Sequence, residues 1–325
     1  MSEDAFRPNR LALVPPGSAE IHAADMTATF AADLCLDSLP IPENLWLPID
    51  CDGDGNTAIG GLVEQNSTGP LRLGFGGWRD LLLGCQYLDG HDRLITVGGR
   101  TMKNVAGYDL TKWMIGQRGI FGRIVTITTR LYLRPTAAYL AEFYPDVAFF
   151  HSLLLSDCRP QWAIVNSHSL YCGYLGDQPA IDYFDKQLRR FQPIRWRHHS
   201  FQADEQFRRL HWRIASEWKM RASLPPSRII DFVNSAALAH WVADPAFGLV
   251  ISAADAASME PVRKAAAAFG AAATFEGPGT FHWSPPDDQR DVLERLKRSL
   301  DPDQRLAPLP WKASPHEFPT ATTAG

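Results

Sequence analysis

The sequence predicts an α+β protein of two domains, and three observations carry that prediction. Residues 98–133, GGRTMKNVAGYDLTKWMIGQRGIFGRIVTITTRLYL, join a glycine pair, a polar crossing segment, a short helix, a glycine-punctuated turn and a long strand. Beyond Pro135 the glycines thin out, and strands alternate with amphipathic helices as in an antiparallel sheet covered on one face. With 325 residues, of which 45% are hydrophobic and 21% charged, the chain is long enough to bury two cores.

The first domain, residues 1–135, opens with an extended arm holding Pro8, Pro15, Pro16 and Gly17. A strand is expected at Thr27 to Phe30, a short helix near Ala31 to Leu39, and an extended exit through Trp46 to Ile49. In TAIGGLVEQNSTGPLRLGFGGWRDLLLG, residues 57–84, bare backbone at Gly60, Gly61 and Gly69 can lie against a flat ring, while Asn66 and Ser67 offer hydrogen-bonding groups. A loop-rich surface with turn glycines is the alternative reading of that stretch. Trp78 either stacks on a ligand or fills space, and Gly74 to Asp80 leads into a hairpin, Leu81 to Val97, turned by Asp89-Gly90-His91-Asp92. His91 at that tip is read as solvated. Lys103 and Asn104 in the crossing segment face either a ligand or the surface.

The helix Asp109 to Ile115 ends at Gly116, where a left-handed cap is needed, and Gly119 and Gly122 remove side chains before the strand Arg123 to Leu133. In that strand Val125, Ile127, Thr129, Leu131 and Leu133 share one face, the alternation of a half-buried strand. Pro135 ends it.

The second domain, residues 136–311, is read as strands at Ala138 to Tyr144, Trp162 to Asn166, Leu170 to Leu175, Glu217 to Leu224 and Leu249 to Ser252. Helices fall at Val147 to Asp157, Gln178 to Phe191, Asp204 to His211, after Pro225-Pro226, and at Pro261 to Phe269. In WKMRASL, residues 218–224, Lys219, Arg221 and Ser223 share the polar face, so Lys219 and Arg221 are placed to hold a carboxylate; a solvated strand face is the plainer reading. His211, in RRLHWR, is a candidate for proton transfer. The adjacent His198 and His199 point to opposite faces of a strand, which argues against a shared metal. A helix within residues 285–310 closes the domain with Lys297 and Arg298 near its C-terminus, and residues 312–325 are expected to be a disordered tail.

A formal net charge of -4 gives no electrostatic case for nucleic acid. The five cysteines are odd in number and lack CxxC spacing, which points away from a disulfide framework or metal site and toward a reducing compartment. No apolar run long enough to span a membrane stands out, and the N-terminal stretch has no apolar signal core, so a cytoplasmic protein is expected.

The string KNVAGYDLTKWMIGQRGIFGRIVTITTRLYLRP, with residues 57–84 upstream, resembles the second half of the flavin-binding domain of the vanillyl-alcohol-oxidase superfamily, the FAD-linked oxidases with a PCMH-type domain. Within that group it looks most like the FAD-binding subunit of bacterial glycolate oxidase. The resemblance covers roughly residues 22–135, the second domain loosely, and the closing helix in part. It implies a PCMH-type FAD-binding domain followed by an antiparallel cap domain, with FAD taking a hydride from a small 2-hydroxy acid and with companion oxidase subunits as partners. It also implies that Gly60, Gly61, Asn66, Ser67, Gly69, Asp80, Gly116, Gly119, Gly122 and Ile124 line the FAD site. The catalytic candidates are Arg221, Lys219 and His211, and no metal is implied.

The chain departs from the family pattern in two places. Only Gly17, Gly53 and Gly55 precede residue 60, so the glycine-rich loop that cradles the FAD pyrophosphate is expected to be missing and the first subdomain shortened. The closing turn reads Leu306-Ala307-Pro308 where the family has Asn-Pro-Gly. The second reading that follows is a non-catalytic assembly subunit that has lost independent FAD binding.

Overall fold

The computed structural model describes residues 14–51, 55–100, 109–255, 258–277, 280–283 and 287–311. Lys103, Asn104 and the 312–325 tail therefore lie outside the described residues. The chain divides into two compact units, one of Met1–Thr68, Gly76–Arg134 and Pro285–Gly325, the other of Gly69–Phe75 and Pro135–Ser284.

Along the first part of the chain run β1 (Ala19–His22), β2 (Thr27–Ala31), β3 (Leu45–Trp46), α1 (Ile59–Gln65), α2 (Arg72–Phe75), α3 (Trp78–Leu81), β4 (Leu82–Leu88), β5 (Leu94–Gly98), α4 (Leu110–Trp113), β6 (Arg123–Arg130) and β7 (Tyr132–Leu133). All but α2 belong to the first unit. Its sheet has the order β1-β2-β6-β4-β5, with every neighbour antiparallel. β6 lies in the middle, and residues 126–129 are buried on both faces, not on one as the alternation implied. Two of its buried threonines bond across the sheet, Thr128 Oγ1 with Thr29 Oγ1 at 2.8 Å and Thr126 Oγ1 donating to Gln86 Oε1 at 2.9 Å, while the hydroxyl of Thr129 is buried with no partner among the described residues.

Two local expectations fail here. Residues 31–39 form no α-helix. The segment is tied across the chain instead, with Ile59 N donating to Leu34 O at 2.8 Å and Leu36 N to Thr57 O at 3.4 Å, and only the single turn Leu36–Ser38 is helical. The glycine-rich residues 57–65, with a turn-glycine loop as the alternative reading, contain α1; Gly60 and Gly61 sit in its first turn, and Ala32 packs against Gly60 too closely for any side chain there.

The second unit continues with β8 (Ala137–Phe143), α5 (Val147–Leu154), β9 (Trp162–Asn166), β10 (Leu170–Gly176), α6 (Gln178–Leu188), β11 (Arg195–Ser200), α7 (Phe201–Trp212), β12 (Trp218–Ser223), α8 (Ile229–Ser235), β13 (Trp241–Asp244), β14 (Leu249–Ala254), α9 (Met259–Ala268), β15 (Ala272–Gly277) and β16 (Thr280–His282). Nine strands form one antiparallel sheet, β11-β8-β10-β9-β13-β14-β12-β15-β16. The order contains two βαββαβ halves, β8-α5-β9-β10-α6-β11 and β12-α8-β13-β14-α9-β15, joined edge to edge at β9 and β13. The strands β11, β13, β15 and β16 did not stand out in the sequence; β11 is mostly exposed and polar, so it lacks the apolar alternation of a half-buried strand.

One sheet face, with Tyr139, Ala141, Ala163, Cys172, Tyr174, Met220, Ala222, Val250 and Phe275, forms the main core with Phe150, Ile181, Phe232 and Val262 from α5, α6, α8 and α9. On the opposite face lies α7, whose Asp204 accepts from Trp162 Nε1 at 3.1 Å and whose Phe207 meets Tyr171 edge-on at 5.1 Å.

The chain closes with α10 (Asp287–Leu300), which groups with the first unit and not with the second domain where the sequence placed it. There Leu293 and Leu296 pack against Ile120, Phe121 and Leu309, an apolar stripe that the first unit supplies.

Candidate functional site

In the first unit the end of α1 and the turn Gly116 to Ile124 are bound together by backbone and by one carboxylate. Gly116 N donates to Val63 O at 3.0 Å, Arg118 N to Glu64 O at 2.8 Å, and Ile124 N to Glu64 Oε1 at 3.0 Å. Asn66 ends α1 in the left-handed region (φ 51°), next to Gly116 (φ 81°). Asn66, Gly116, Gly119 and Ile124 are thus brought together around the C-terminal end of α1, and Lys297 of α10 fastens the turn by donating to Ile120 O and Ala307 O, each at 2.8 Å.

The ten residues expected to line a cofactor divide sharply. Five make contacts within the chain. A Cβ on Gly60 would lie 2.6 Å from Ala32 Cβ, and one on Gly122 2.5 Å from Tyr87 Cδ2. The Ile124 amide is held by Glu64; Ser67 O accepts from Trp78 Nε1 at 2.8 Å; Asp80 Oδ2 accepts from Gly77 N at 3.0 Å at the start of α3. Trp78, fully buried, fills space. A Cβ at Gly116 would stand 3.3 Å from Asn66 Cβ. Gly69 belongs to the second unit. The open positions are Gly61, where a Cβ would meet only Thr57 Cγ2 at 3.9 Å, Gly119, with Ala307 Cβ at 3.5 Å and Glu64 Oε2 at 3.9 Å, and the exposed Asn66.

Glu64 escaped the sequence reading. One oxygen is fixed by Ile124 and the other is directed toward the bare Gly119. Burial pushes its carboxyl up from 4.5 to about 7, against the lowering effects of the Ile124 amide and Arg123. Its only sequence signal is a charge immediately after the apolar Leu62-Val63 of an amphipathic turn.

In the second unit the three catalytic candidates do not converge. Arg221 and Lys219 share a face of β12, and Arg221 Nε lies 3.6 Å from Glu276 Oε2 on β15. His211 stacks on Phe207 at 3.7 Å with the rings 21° apart, and its Nδ1 lies 2.9 Å from Phe207 O, against β10. Four strand spacings separate β10 from β12, roughly 19 Å. Burial, followed by Arg197, lowers the His211 pKa, although its bond to Phe207 O and the charge of Glu142 act the other way.

The sequence also missed a buried charged network. Asp204 and Arg208, one turn apart on α7 and both fully buried, form an ion pair that also takes the Trp162 indole N–H. His199 Nε2 is 3.7 Å from Asp204 Oδ1, and His198 Nε2 is 3.8 Å from Asp185 Oδ1, so the adjacent histidines do serve opposite faces, each beside a carboxylate the sequence did not bring near. Burial first, then Arg197, Arg208 and His198, lower His199 to about 4 and keep it neutral. Among the described residues no group of three or more His, Cys, Asp or Glu is placed to hold a metal ion.

The comparisons with known proteins bear on this geometry. No protein-family model matches the chain. It is 39% identical over 79 residues to glycolate oxidase subunit GlcE of Escherichia coli (strain K12), covering 24% of this chain and 23% of that one. It is 31% identical over 132 residues to glycolate oxidase subunit GlcD of Bacillus subtilis (strain 168), 39% of this chain and 28% of that one. Over these stretches the chain is similar to PCMH-type FAD-linked oxidoreductases. A D-lactate dehydrogenase of Archaeoglobus fulgidus is 32% identical over 80 residues, 25% of this chain and 18% of that one. The matches thus span about a quarter of the length of these curated relatives. Among solved structures, an alkyldihydroxyacetonephosphate synthase aligns over 87% of this chain and 64% of its own with a TM-score of 0.60 at 12% identity, which carries the fold. The chain shares the PCMH-type fold of this structural neighbour, and its second unit is built on an antiparallel sheet. Among the described residues no helix is long and apolar enough to cross a membrane.

Proposed function

We propose that this chain is an FAD-binding oxidoreductase subunit of the glycolate oxidase kind, acting on a small 2-hydroxy acid alongside companion subunits in the cytoplasm. The observation that carries the reading is the similarity of segments of this chain to glycolate oxidase subunits and a D-lactate dehydrogenase, together with a fold shared with an alkyldihydroxyacetonephosphate synthase. FAD, when bound, supplies the hydride acceptor.

The residues open to a ligand suit a ring edge and a hydroxylated chain. Gly61 and Gly119 offer bare backbone, Asn66 an amide that donates and accepts, and Glu64 an oxygen that donates when protonated and accepts when ionised. Gly60, Gly122 and Ile124 support the site from behind by shaping α1 and the turn. In the second unit, Arg221 and Lys219 hold the substrate carboxylate by charge-assisted bonds, with Glu276 steadying Arg221.

The test is spectroscopic. The purified protein, alone and co-expressed with a companion subunit, is desalted and its visible spectrum recorded, and its melting temperature is measured with added FAD. Retained flavin bands or a rise in melting temperature support the reading. A colourless protein in both preparations, with no shift from FAD, sinks it and leaves the assembly role.

A further inference from the structure

We propose that the second unit carries a binding site for a hydroxylated organic phosphate, separate from the flavin reading, in a cleft walled by β8, β10, β11 and α7. The cleft has a volume of about 510 Å³ and is lined by Leu140, Glu142, Tyr171, Arg195, Arg197 and His211, among others. That is ample for a small molecule, whose sites run from about 300 to 1,000 Å³.

The cationic side comes from the edge strand. Arg195 and Arg197, two residues apart on β11, project to one face about 7 Å apart along the strand. Among the described residues no carboxylate forms an ion pair with either guanidinium. Glu142 stands directly across from Arg195 in the β8–β11 register, yet its carboxylate is engaged by Ser169, whose hydroxyl donates to Oε1 at 2.6 Å. Arg197 lies over the Phe207 ring, 5.0 Å from its centre, a contact that fixes the guanidinium without using its N–H groups. Two guanidinium forks with unspent donors match the several oxygens of a phosphate, which accepts paired N–H bonds.

The acceptors define the rest of the ligand. His211 Nδ1 lies against Phe207 O, an acceptor, so Nδ1 carries the proton and Nε2 keeps a lone pair. Glu142 likewise accepts, and its charge disfavours a bare anion that brings no donor. A ligand carrying both a phosphate and hydroxyl groups satisfies both sides, while Leu140 and Tyr171 cover its carbon skeleton. A sugar phosphate and the ribose phosphate of a nucleotide share this chemistry.

The experiment is isothermal titration of the full chain with ribose 5-phosphate, AMP, inorganic phosphate and ribose. One or both organic phosphates should bind about tenfold or more tightly than inorganic phosphate or ribose. AMP the tighter of the two assigns the site to a nucleotide; comparable affinities assign it to a sugar phosphate. Arg195→Gln and Arg197→Gln, at exposed positions where folding is spared, should each weaken binding about tenfold. Glu142→Gln, which still accepts from Ser169, should erase the preference for the hydroxylated ligand over inorganic phosphate. The proposal is overturned if neither organic phosphate binds, if inorganic phosphate binds as well as they do, or if binding survives both arginine substitutions unchanged, since the ligand then sits elsewhere, the flavin site included.

Discussion

Glu64 accepts the amide of Ile124 at 3.0 Å, and this one bond ties the end of α1 to the start of the central strand β6. Because burial raises the folded carboxyl to about 7 from 4.5, the folded state holds a proton that the unfolded chain has released over that interval. The group's contribution to stability is therefore full below about pH 4.5 and is lost as pH rises through about 7. Glu64→Gln keeps an acceptor for Ile124 and removes the charge. It should flatten stability between these limits and raise it at pH 8 by about 1–3 kcal/mol. Melting curves of both proteins from pH 4 to 8 decide the matter; parallel profiles would mean that Glu64 is solvated.

Neighbouring glycines of α1 should behave oppositely. Gly60→Ala drives a methyl to within 2.6 Å of Ala32 Cβ and 3.0 Å of its carbonyl, and should cost about 1–3 kcal/mol. Gly61→Ala has room and a helical backbone, so the free protein should gain about 0.5–1 kcal/mol. On the proposed reading the same change weakens FAD retention, because the methyl enters the ligand's space. Denaturant titration with and without FAD separates the two effects, and equal losses at the two glycines would contradict this assignment.

These glycines also mark what a sequence can disclose. The pattern around Gly116, Gly119 and Gly122 marked a tight helix-to-strand turn, and Gly116 and Gly119 do adopt positive φ. It could not reveal whether the missing side chain makes room for a ligand or for the chain itself. Tyr87, which occupies the space above Gly122, lies 35 residues upstream in the sequence. Strands that are continuous apolar runs, such as Trp162 to Asn166, were legible to the residue. β11 and its cleft were not, because RWRHHS reads as a solvated basic cluster until β8 supplies Glu142 and α7 supplies His211. The Asp204–Arg208 spacing was visible; its complete burial was not.

Lys297 provides a third prediction. Its ammonium donates to Ile120 O and Ala307 O and meets Asp301 Oδ2 at 2.6 Å, with the side chain only 10% exposed. Asp301 in turn accepts the amides of Arg305 and Leu306, and these bonds with Lys297 hold its carboxyl below the usual range despite its burial. Lys297→Met leaves Asp301 without its counter-charge and two carbonyls without a donor, and should cost about 2–4 kcal/mol. Sign follows from the lowered pKa: the Asp301 contribution is present at neutral pH and is lost as pH falls through the acid range, so the gap between variant and parent should narrow in acid. Melting temperatures at pH 7 and at about pH 2.5, below the ordinary carboxyl value of 3.8, test it; a gap that does not narrow would assign the loss to packing alone.

The buried pair in α7 offers the sharpest test of the second unit. Asp204 and Arg208 are both about fully buried, and the indole of Trp162 donates to the same carboxylate. Arg208→Met would strand a charge among Trp162, the neutral His199 and the sheet, and should cost about 3–5 kcal/mol. Asp204→Asn together with Arg208→Met removes both charges, leaves an acceptor for Trp162, and should recover a large part of that loss, because burying the pair carries its own desolvation cost. Urea unfolding of the two single variants and the double variant measures the coupling. Additive effects would show that each charge is separately solvated, and the account of α7 as clamped to the sheet by a dehydrated ion pair would have to be abandoned.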